Sequence, residues 1–267
     1  MKSYSQIFQE LKKERKGALV AFAVIGDPNY ETSLEIVRKM VDAGADILEL
    51  GLPFSDPIAD GPSIQAADVR ALNNHMDTDK AFKFVKELRK HTDVPIGLLT
   101  YYNLIYQYGL KKFFDTASRI GVNSVLIADM PIEEADLILK FSDAHRVNTV
   151  FMVSPVTDDE RIKKISKKVT GFIYAVSRLG ITGARHDLEK STLNLIKRIK
   201  QVTGKPICVG FGISKPDHVR SVIKAGADGA IVGSAIVDVI ARNLQNKDKM
   251  LQEITDYVTE LKAATKK

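Results

Sequence analysis

The stretch Leu48-Glu-Leu-Gly-Leu-Pro-Phe-Ser-Asp-Pro-Ile-Ala-Asp-Gly61 opens as a short apolar run and ends in a loop punctuated by proline and glycine. The run is typical of a buried strand, yet it carries a carboxylate, Glu49, and a further carboxylate, Asp60, closes the loop. An ionised carboxylate in a desolvated strand needs a partner or a shifted pKa. We therefore interpret Glu49 as a candidate catalytic group; a structural ion pair with a lysine or arginine is the alternative.

The junction between a predicted helix and the next predicted strand has the same form at several places along the chain. A glycine suited to a left-handed helix end stands just before a new apolar run at Gly44, Gly121 and Gly226. At two other joins a proline, Pro95 or Pro206, stands at the entrance of the run, where a missing N–H does least harm. These joins divide the chain into repeated strand–helix units.

The units predict a parallel α/β fold. Parallel strands joined by crossover helices form either a doubly wound sheet or a closed barrel. Eight units in 267 residues, with no dinucleotide-binding fingerprint after the first strand, favour a single (β/α)8 TIM-barrel domain over residues 1–267. Strands are predicted near residues 18, 46, 95, 123, 147, 171, 206 and 228, and extra helices within 1–16, 63–73, 77–91 and 247–262.

Composition narrows the class of protein. The chain is 45% hydrophobic and 27% charged, as expected of a globular protein. Its net charge is +6, but Lys and Arg are spread over many predicted helix faces that also carry Asp and Glu. This pattern argues against nucleic acid as a partner. The longest apolar run, Ala18 to Ile25, is too short to cross a membrane. With one cysteine, Cys208, and no signal peptide, a cytoplasmic location is expected.

Glycines after the last two predicted strands indicate a phosphate site. They lie in Val209-Gly-Phe-Gly-Ile-Ser214 and Ile231-Val-Gly-Ser-Ala235, where TIM barrels bind phosphate on backbone N–H groups. Packing of glycines at tight turns would explain either segment alone. We expect the long loop Ser177–Leu188 to close over the site as a lid. The candidate phosphate ligands are Gly183, Gly212, Gly233 and Ser234.

Glu49 and Asp60 can act as separate acid and base, because one lies on a strand and the other on the loop after it. Tyr174 could hydrogen-bond a reacting group or simply pack. No lysine ends a predicted strand, which argues against a Schiff base, and no histidines have metal-site spacing. The residues thus predict a metal-free acid–base enzyme for a phosphorylated, partly apolar metabolite. Candidate apolar walls are Phe22, Leu99, Leu126 and Phe211.

Five motifs make the sequence resemble the tryptophan synthase α-subunit family. They are Gly26-Asp-Pro28, the stretch 48–61, Tyr174-x-x-Ser-Arg-x-Gly-Ile-Thr-Gly183, Gly210-Phe-Gly-Ile-Ser214 and Gly233-Ser-Ala-Ile-Val237. The resemblance implies a lyase that cleaves indole-3-glycerol phosphate by a retro-aldol reaction into indole and glyceraldehyde 3-phosphate. It also implies an α2β2 complex in which a β subunit carries pyridoxal phosphate and this chain carries no cofactor.

The resemblance assigns roles residue by residue. Glu49 would be the general acid–base, Asp60 would stabilise positive charge on the indole nitrogen, and Tyr174 would hydrogen-bond near Glu49. Thr182 would orient Asp60, and the glycines and Ser234 named above would cradle the phosphate. Phe22, Leu99 and Phe211 would wall the indole, whereas Pro53 and Asp56 would contact the β subunit. The family usually has proline where Leu104 stands.

Two other functions remain open from the sequence. A sugar-phosphate isomerase of amino-acid biosynthesis would share the phosphate glycines but not the pair of Glu49 and Asp60. A barrel without activity could bind the metabolite only to activate a partner.

Overall fold

The computed structural model describes residues 1–176 and 185–266, with backbone alone for 185–189. All the pairings between its strands are parallel. The strands described are β1 Ala18–Val24, β2 Ile47–Gly51, β3 Ile96–Thr100, β4 Ser124–Ile127, β5 Asn148–Thr149, β6 Phe151–Val153, β7 Ile173–Val176, β8 Ile207–Gly210 and β9 Gly229–Val232.

The sheet closes into a barrel. Its strand order is β5-β4-β3-β2-β1-β9-β8-β7-β6, so the two ends of the order are β5 and β6. These two short strands are consecutive in the chain and separated only by Val150, and they form one interrupted barrel strand. The predicted eight-stranded barrel is therefore confirmed, with each predicted strand near its expected position.

Helices cover the outside of the barrel. The predicted extra helices are present as α1 at the start, α3 and α4 between β2 and β3, and α12 at the end. A short helix that the sequence did not predict, α5, occupies the loop of Leu104 and ends at Gly109. The helices described are α1 Tyr4–Lys13, α2 Tyr30–Asp42, α3 Pro62–Asn73, α4 Thr78–Leu88, α5 Tyr102–Tyr108, α6 Leu110–Ile120, α7 Asp136–His145, α8 Asp159–Lys168, α9 Arg185–Val202, α10 Pro216–Lys224, α11 Ser234–Arg242 and α12 Lys247–Ala263.

Strand alternation separates two apolar layers. Leu48 and Leu50 of β2 pack in the cluster between the barrel and its helices, whereas Ile47 joins the cluster inside the barrel. Since successive strand residues point to opposite faces, Glu49 shares the inner face with Ile47. The amino-terminal end of the interior is closed by α1, whose Tyr4 ring lies 5.5 Å from the ring of Phe172. Within the part of the chain that the structure describes, the opposite end is left to admit a ligand.

A partly buried ion pair ties the last helix to the amino-terminal end of the barrel. Lys262 Nζ of α12 donates to both carboxylate oxygens of Asp46 at 2.6 Å. Asp46 also accepts a 2.8 Å hydrogen bond from the backbone N–H of Leu19. Burial raises the pKa of Asp46, and Lys262 opposes that rise. The lysine therefore favours the charged form of this buried carboxylate.

We expect Lys262→Met to lower the free energy of unfolding by about 2–3 kcal/mol, because it leaves a buried charge unpaired. Urea unfolding measures this change. Lys247→Met is the matched control, since Lys247 pairs with Glu35 at the surface and such pairs contribute less than about 1 kcal/mol. Equal losses in the two variants would contradict the role given to the pair of Lys262 and Asp46.

Candidate active site

Glu49 lies in the barrel interior near the open end. It stands in register with Phe22 of β1 and Gly97 of β3, and only 4% of its surface is exposed. Burial, and next the charge of Asp60, raise the pKa of Glu49 to about 8. Among the residues described, no basic side chain opposes this rise. At neutral pH the carboxyl is therefore protonated and able to donate a proton.

Asp60 ends the loop between β2 and α3 and is held by a tyrosine. The Tyr101 hydroxyl donates to Asp60 Oδ2 at 2.6 Å and accepts the backbone N–H of Ala59 at 3.1 Å. The Tyr101 ring stacks on Phe54, with centroids 5.0 Å apart. Burial raises the pKa of Asp60, and the bond from Tyr101 lowers it. Asp60 thus has a donor that favours its charged form, and Glu49 has no such donor among the described residues.

Sequence reasoning assigned no role to Tyr101. The residue directly follows β3, so it emerges at the same end of the barrel as the loop of Asp60. That position, at the carboxyl end of a parallel strand, is the signal that could have found it.

Tyr174 of β7 faces the two carboxyls across the interior. It is 6% exposed, and burial together with the charges of Glu49 and Asp60 raises its pKa well above the ordinary value. Its ring lies edge-on to Phe211, with centroids 6.3 Å apart. A Cβ added at Gly210 would overlap the Tyr174 ring and hydroxyl, so glycine leaves the space that the phenol occupies.

The predicted apolar walls surround the same space. Phe22 lies between two glycines: a Cβ at Gly51 would be 3.0 Å from its Cζ, and one at Gly233 would be 3.3 Å from its Cδ1. Leu99 and Leu126 stand in register on β3 and β4 and belong to the interior cluster. Phe211 is at the rim with 45% of its surface exposed. All four line or border the interior.

The candidate phosphate residues follow β8 and β9. Gly212 has a φ of +70°, which favours glycine, and leads towards α10. Gly233 caps α11, and the exposed Ser234 is the first residue of that helix. Gly183 and Thr182 lie outside the described residues, as does the loop Ser177–Leu188 up to the start of α9 at Arg185.

The loop between β2 and α3, which carries the predicted partner contacts Pro53 and Asp56, has a buried and an exposed side. Pro53 is buried and, with Leu104, lines a cavity of about 200 Å³ beneath the loop. Asp56 is exposed, and Ile58, two residues further on, presents 83% of its surface to solvent. The exposed side leaves apolar surface at the open end of the barrel.

Clusters of metal-ligating side chains and membrane-spanning helices are both absent from residues 1–176 and 185–266. No group of three or more His, Cys, Asp or Glu side chains in these ranges is arranged to hold a metal ion. None of the helices there is long and apolar enough to cross a membrane.

A closed parallel barrel with buried carboxyls at the open end of its strands defines a TIM-barrel enzyme. A family model described as "Tryptophan synthase alpha chain" matches residues 8–266. The chain is 50% identical to the tryptophan synthase alpha chain of Methanothermobacter thermautotrophicus, over 98% of this chain and 96% of that protein. The chain therefore belongs to the tryptophan synthase alpha chain family.

Solved structures agree with this assignment. The tryptophan synthase a2b2 complex of Pyrococcus furiosus contains a chain with 40% identity and a TM-score of 0.86, with 92% of this chain and 98% of that chain covered. The tryptophan synthase alpha subunit of Legionella pneumophila has 31% identity and a TM-score of 0.91, with 99% and 98% covered.

We expect Gly210→Ala to lower the free energy of unfolding by about 1–3 kcal/mol, because the added methyl forces the Tyr174 ring to move. Gly204→Ala is the control, since nothing lies within 4 Å of a Cβ there. Urea unfolding of the two variants measures the difference. A Gly210→Ala protein as stable as the control would show that the space around Tyr174 is not restricted.

Proposed function

We propose that this chain cleaves indole-3-glycerol phosphate into indole and glyceraldehyde 3-phosphate as the alpha subunit of tryptophan synthase. The observation that supports this most directly is the contrast between two neighbouring carboxyls. Glu49 is buried on a rigid strand with a pKa of about 8, whereas Asp60 accepts a hydrogen bond from Tyr101 that favours its ionised form. Such a pair suits a reaction that needs a proton donor and a fixed negative charge.

The proposed substrate spans the open end of the barrel. Its phosphate binds to the backbone at Gly212 and Gly233 and to the hydroxyl of Ser234, with Gly183 as a further ligand. Its indole ring is held by the apolar walls, which leave the ring nitrogen facing Asp60. The indole walls are Phe22, Leu99, Leu126 and Phe211.

Cleavage begins with protonation of the indole ring. The neutral Glu49 carboxyl donates its proton to C3 of the indole, the carbon that carries the glycerol phosphate chain. The ring then bears positive charge at its nitrogen, and the carboxylate of Asp60 stabilises that charge. The bond from Tyr101 favours the ionised form of Asp60 and orients its carboxylate as the charge develops.

The bond between carbons then breaks. Glu49, now a carboxylate, accepts the proton of the substrate hydroxyl next to the scissile bond, and the oxygen forms the aldehyde of glyceraldehyde 3-phosphate. The electron pair of the broken bond returns to the ring, which leaves as neutral indole. Glu49 is protonated again, and Tyr174 is proposed to hydrogen-bond near it throughout.

The proposed partner is a tryptophan synthase β subunit. The relative from Pyrococcus furiosus was solved as an a2b2 complex, which supports the same assembly here. Pro53 and Asp56 are proposed to contact that subunit, and Thr182 is proposed to orient Asp60 when the loop closes. Pyridoxal phosphate would be held by the β subunit, where it supplies the chemistry that joins indole to serine.

We expect Glu49→Gln to lower kcat/KM for indole release by at least about 10³-fold, because the amide keeps the shape but cannot transfer a proton. The assay follows indole released by the purified chain alone and with its β subunit. Glu10→Gln, at the exposed surface of α1, is the control. Full activity of Glu49→Gln would exclude the role of Glu49, and an inactive wild-type complex would overturn the proposed function.

The pH dependence follows from the raised pKa of Glu49. A carboxyl with a pKa of about 8 is protonated below pH 8 and loses its proton above it. Because the first step needs the protonated form, we expect kcat/KM to fall tenfold per pH unit above about pH 8 to 9. A profile of kcat/KM between pH 6 and 10 measures this. A rate that stays constant up to pH 10 would contradict a proton-donating Glu49.

A further inference from the structure

A third buried carboxyl lies beside the site, and the proposed reaction does not use it. Asp68, on α3, is 4% exposed. It lies next to the buried Ala67 and one turn before the buried Ala71, on the face of the helix that packs inward. A leucine would occupy this space without the free energy that desolvating a carboxyl costs, so packing alone does not account for an acid here.

The helix that carries Asp68 is fixed to the barrel. Arg70 donates two hydrogen bonds to the buried carboxylate of Asp27, of 2.6 and 2.9 Å. Asn74 Nδ2 donates to the carbonyl of Pro28 at 2.7 Å. Both partners lie in the loop that follows β1, so α3 is held against a rigid strand end.

From this fixed helix Asp68 reaches the loop of Asp60. Its carboxyl interacts with the backbone N–H of Phe54, which lowers the pKa of Asp68. The Phe54 ring stacks on Tyr101 at 5.0 Å, with the planes 29° apart, and Tyr101 donates to Asp60 at 2.6 Å. A continuous set of contacts thus runs from Asp68 to Asp60.

We infer that Asp68 is a positioning residue, which anchors Phe54 from α3 so that Tyr101 is held in the place where it orients Asp60. The inference rests on the role proposed above for Asp60. Asp68 acts through the backbone of the loop and does not touch the substrate.

The charged groups around Asp68 indicate which form of its carboxyl interacts with Phe54. Burial raises its pKa to about 8, the carboxylates of Asp60 and Asp27 raise it too, and the Phe54 N–H lowers it. Arg70 is paired with Asp27, and the Tyr101 hydroxyl donates to Asp60. At neutral pH Asp68 is therefore uncharged, and its carbonyl oxygen supplies the anchor. Asparagine keeps that oxygen, so we expect Asp68→Asn to preserve the anchor.

The test compares Asp68→Leu with Asp68→Asn in the complex with the β subunit. We expect Asp68→Leu to lower kcat for indole release about tenfold with KM nearly unchanged, because a loose loop misplaces Asp60. Asp68→Asn should keep activity within about threefold of wild type. Val69→Ala, the exposed neighbour on the same helix, is the control and should change nothing.

A double-mutant cycle with Tyr101→Phe shows whether Asp68 influences Asp60 through Tyr101. Tyr101→Phe removes the hydroxyl that orients Asp60, so the loss from Asp68→Leu should add little to it. If the two losses in kcat multiply instead, Asp68 does not act through Tyr101. Equal losses in Asp68→Leu and Asp68→Asn, or none in Asp68→Leu, would also overturn the inference.

Hydrogen exchange of the Phe54 amide tests the anchor independently of enzyme activity. In the folded Asp68→Leu chain, the Phe54 amide should exchange faster than in wild type, and in Asp68→Asn it should not. An unchanged exchange rate in Asp68→Leu would overturn the anchor even if activity fell. A wild-type complex that releases no indole would instead refute the proposed function, with the exchange result still valid.

Discussion

The desolvation of the Glu49 carboxyl is the constraint on which the rest of the site depends. Alternation along β2 places this side chain inside a barrel whose walls are apolar, and α1 closes the amino-terminal end. The strand cannot turn the carboxyl back to water without also exposing Leu48 and Leu50 on its other face. The fold itself therefore keeps the proton on Glu49 at neutral pH, with no need for a specific partner.

The second carboxyl is controlled in a different way. Asp60 lies on a loop, where backbone geometry alone would not fix it, and its position depends on contacts from two other parts of the chain. Tyr101, at the end of β3, donates to its carboxylate, and Gln65 of α3 donates to its backbone carbonyl at 2.8 Å. In the proposed reaction, the strand residue Glu49 thus provides the proton, whereas the loop residue Asp60 provides the charge.

Much of the fold could be predicted, because its signals are local. Glycine and proline at the joins marked the strand starts, and the confirmed barrel then fixed which ends of the strands meet. Glu49 was visible as an acid in an apolar run. Tyr101 was missed because its role depends on a contact with Asp60, which lies 41 positions away in the chain. Asp68 was missed because an acid on a helix is usually exposed. The roles of Gly183 and Thr182 stay predictions.

The most direct measurement is a titration of the Glu49 carboxyl followed by ¹³C NMR, with the resonance assigned by its absence in Glu49→Gln. We expect Glu49 to stay protonated through neutral pH and to titrate near pH 8. A Glu49 resonance that titrates near its ordinary pKa of 4.5 would contradict the claim that burial in the barrel stores the catalytic proton.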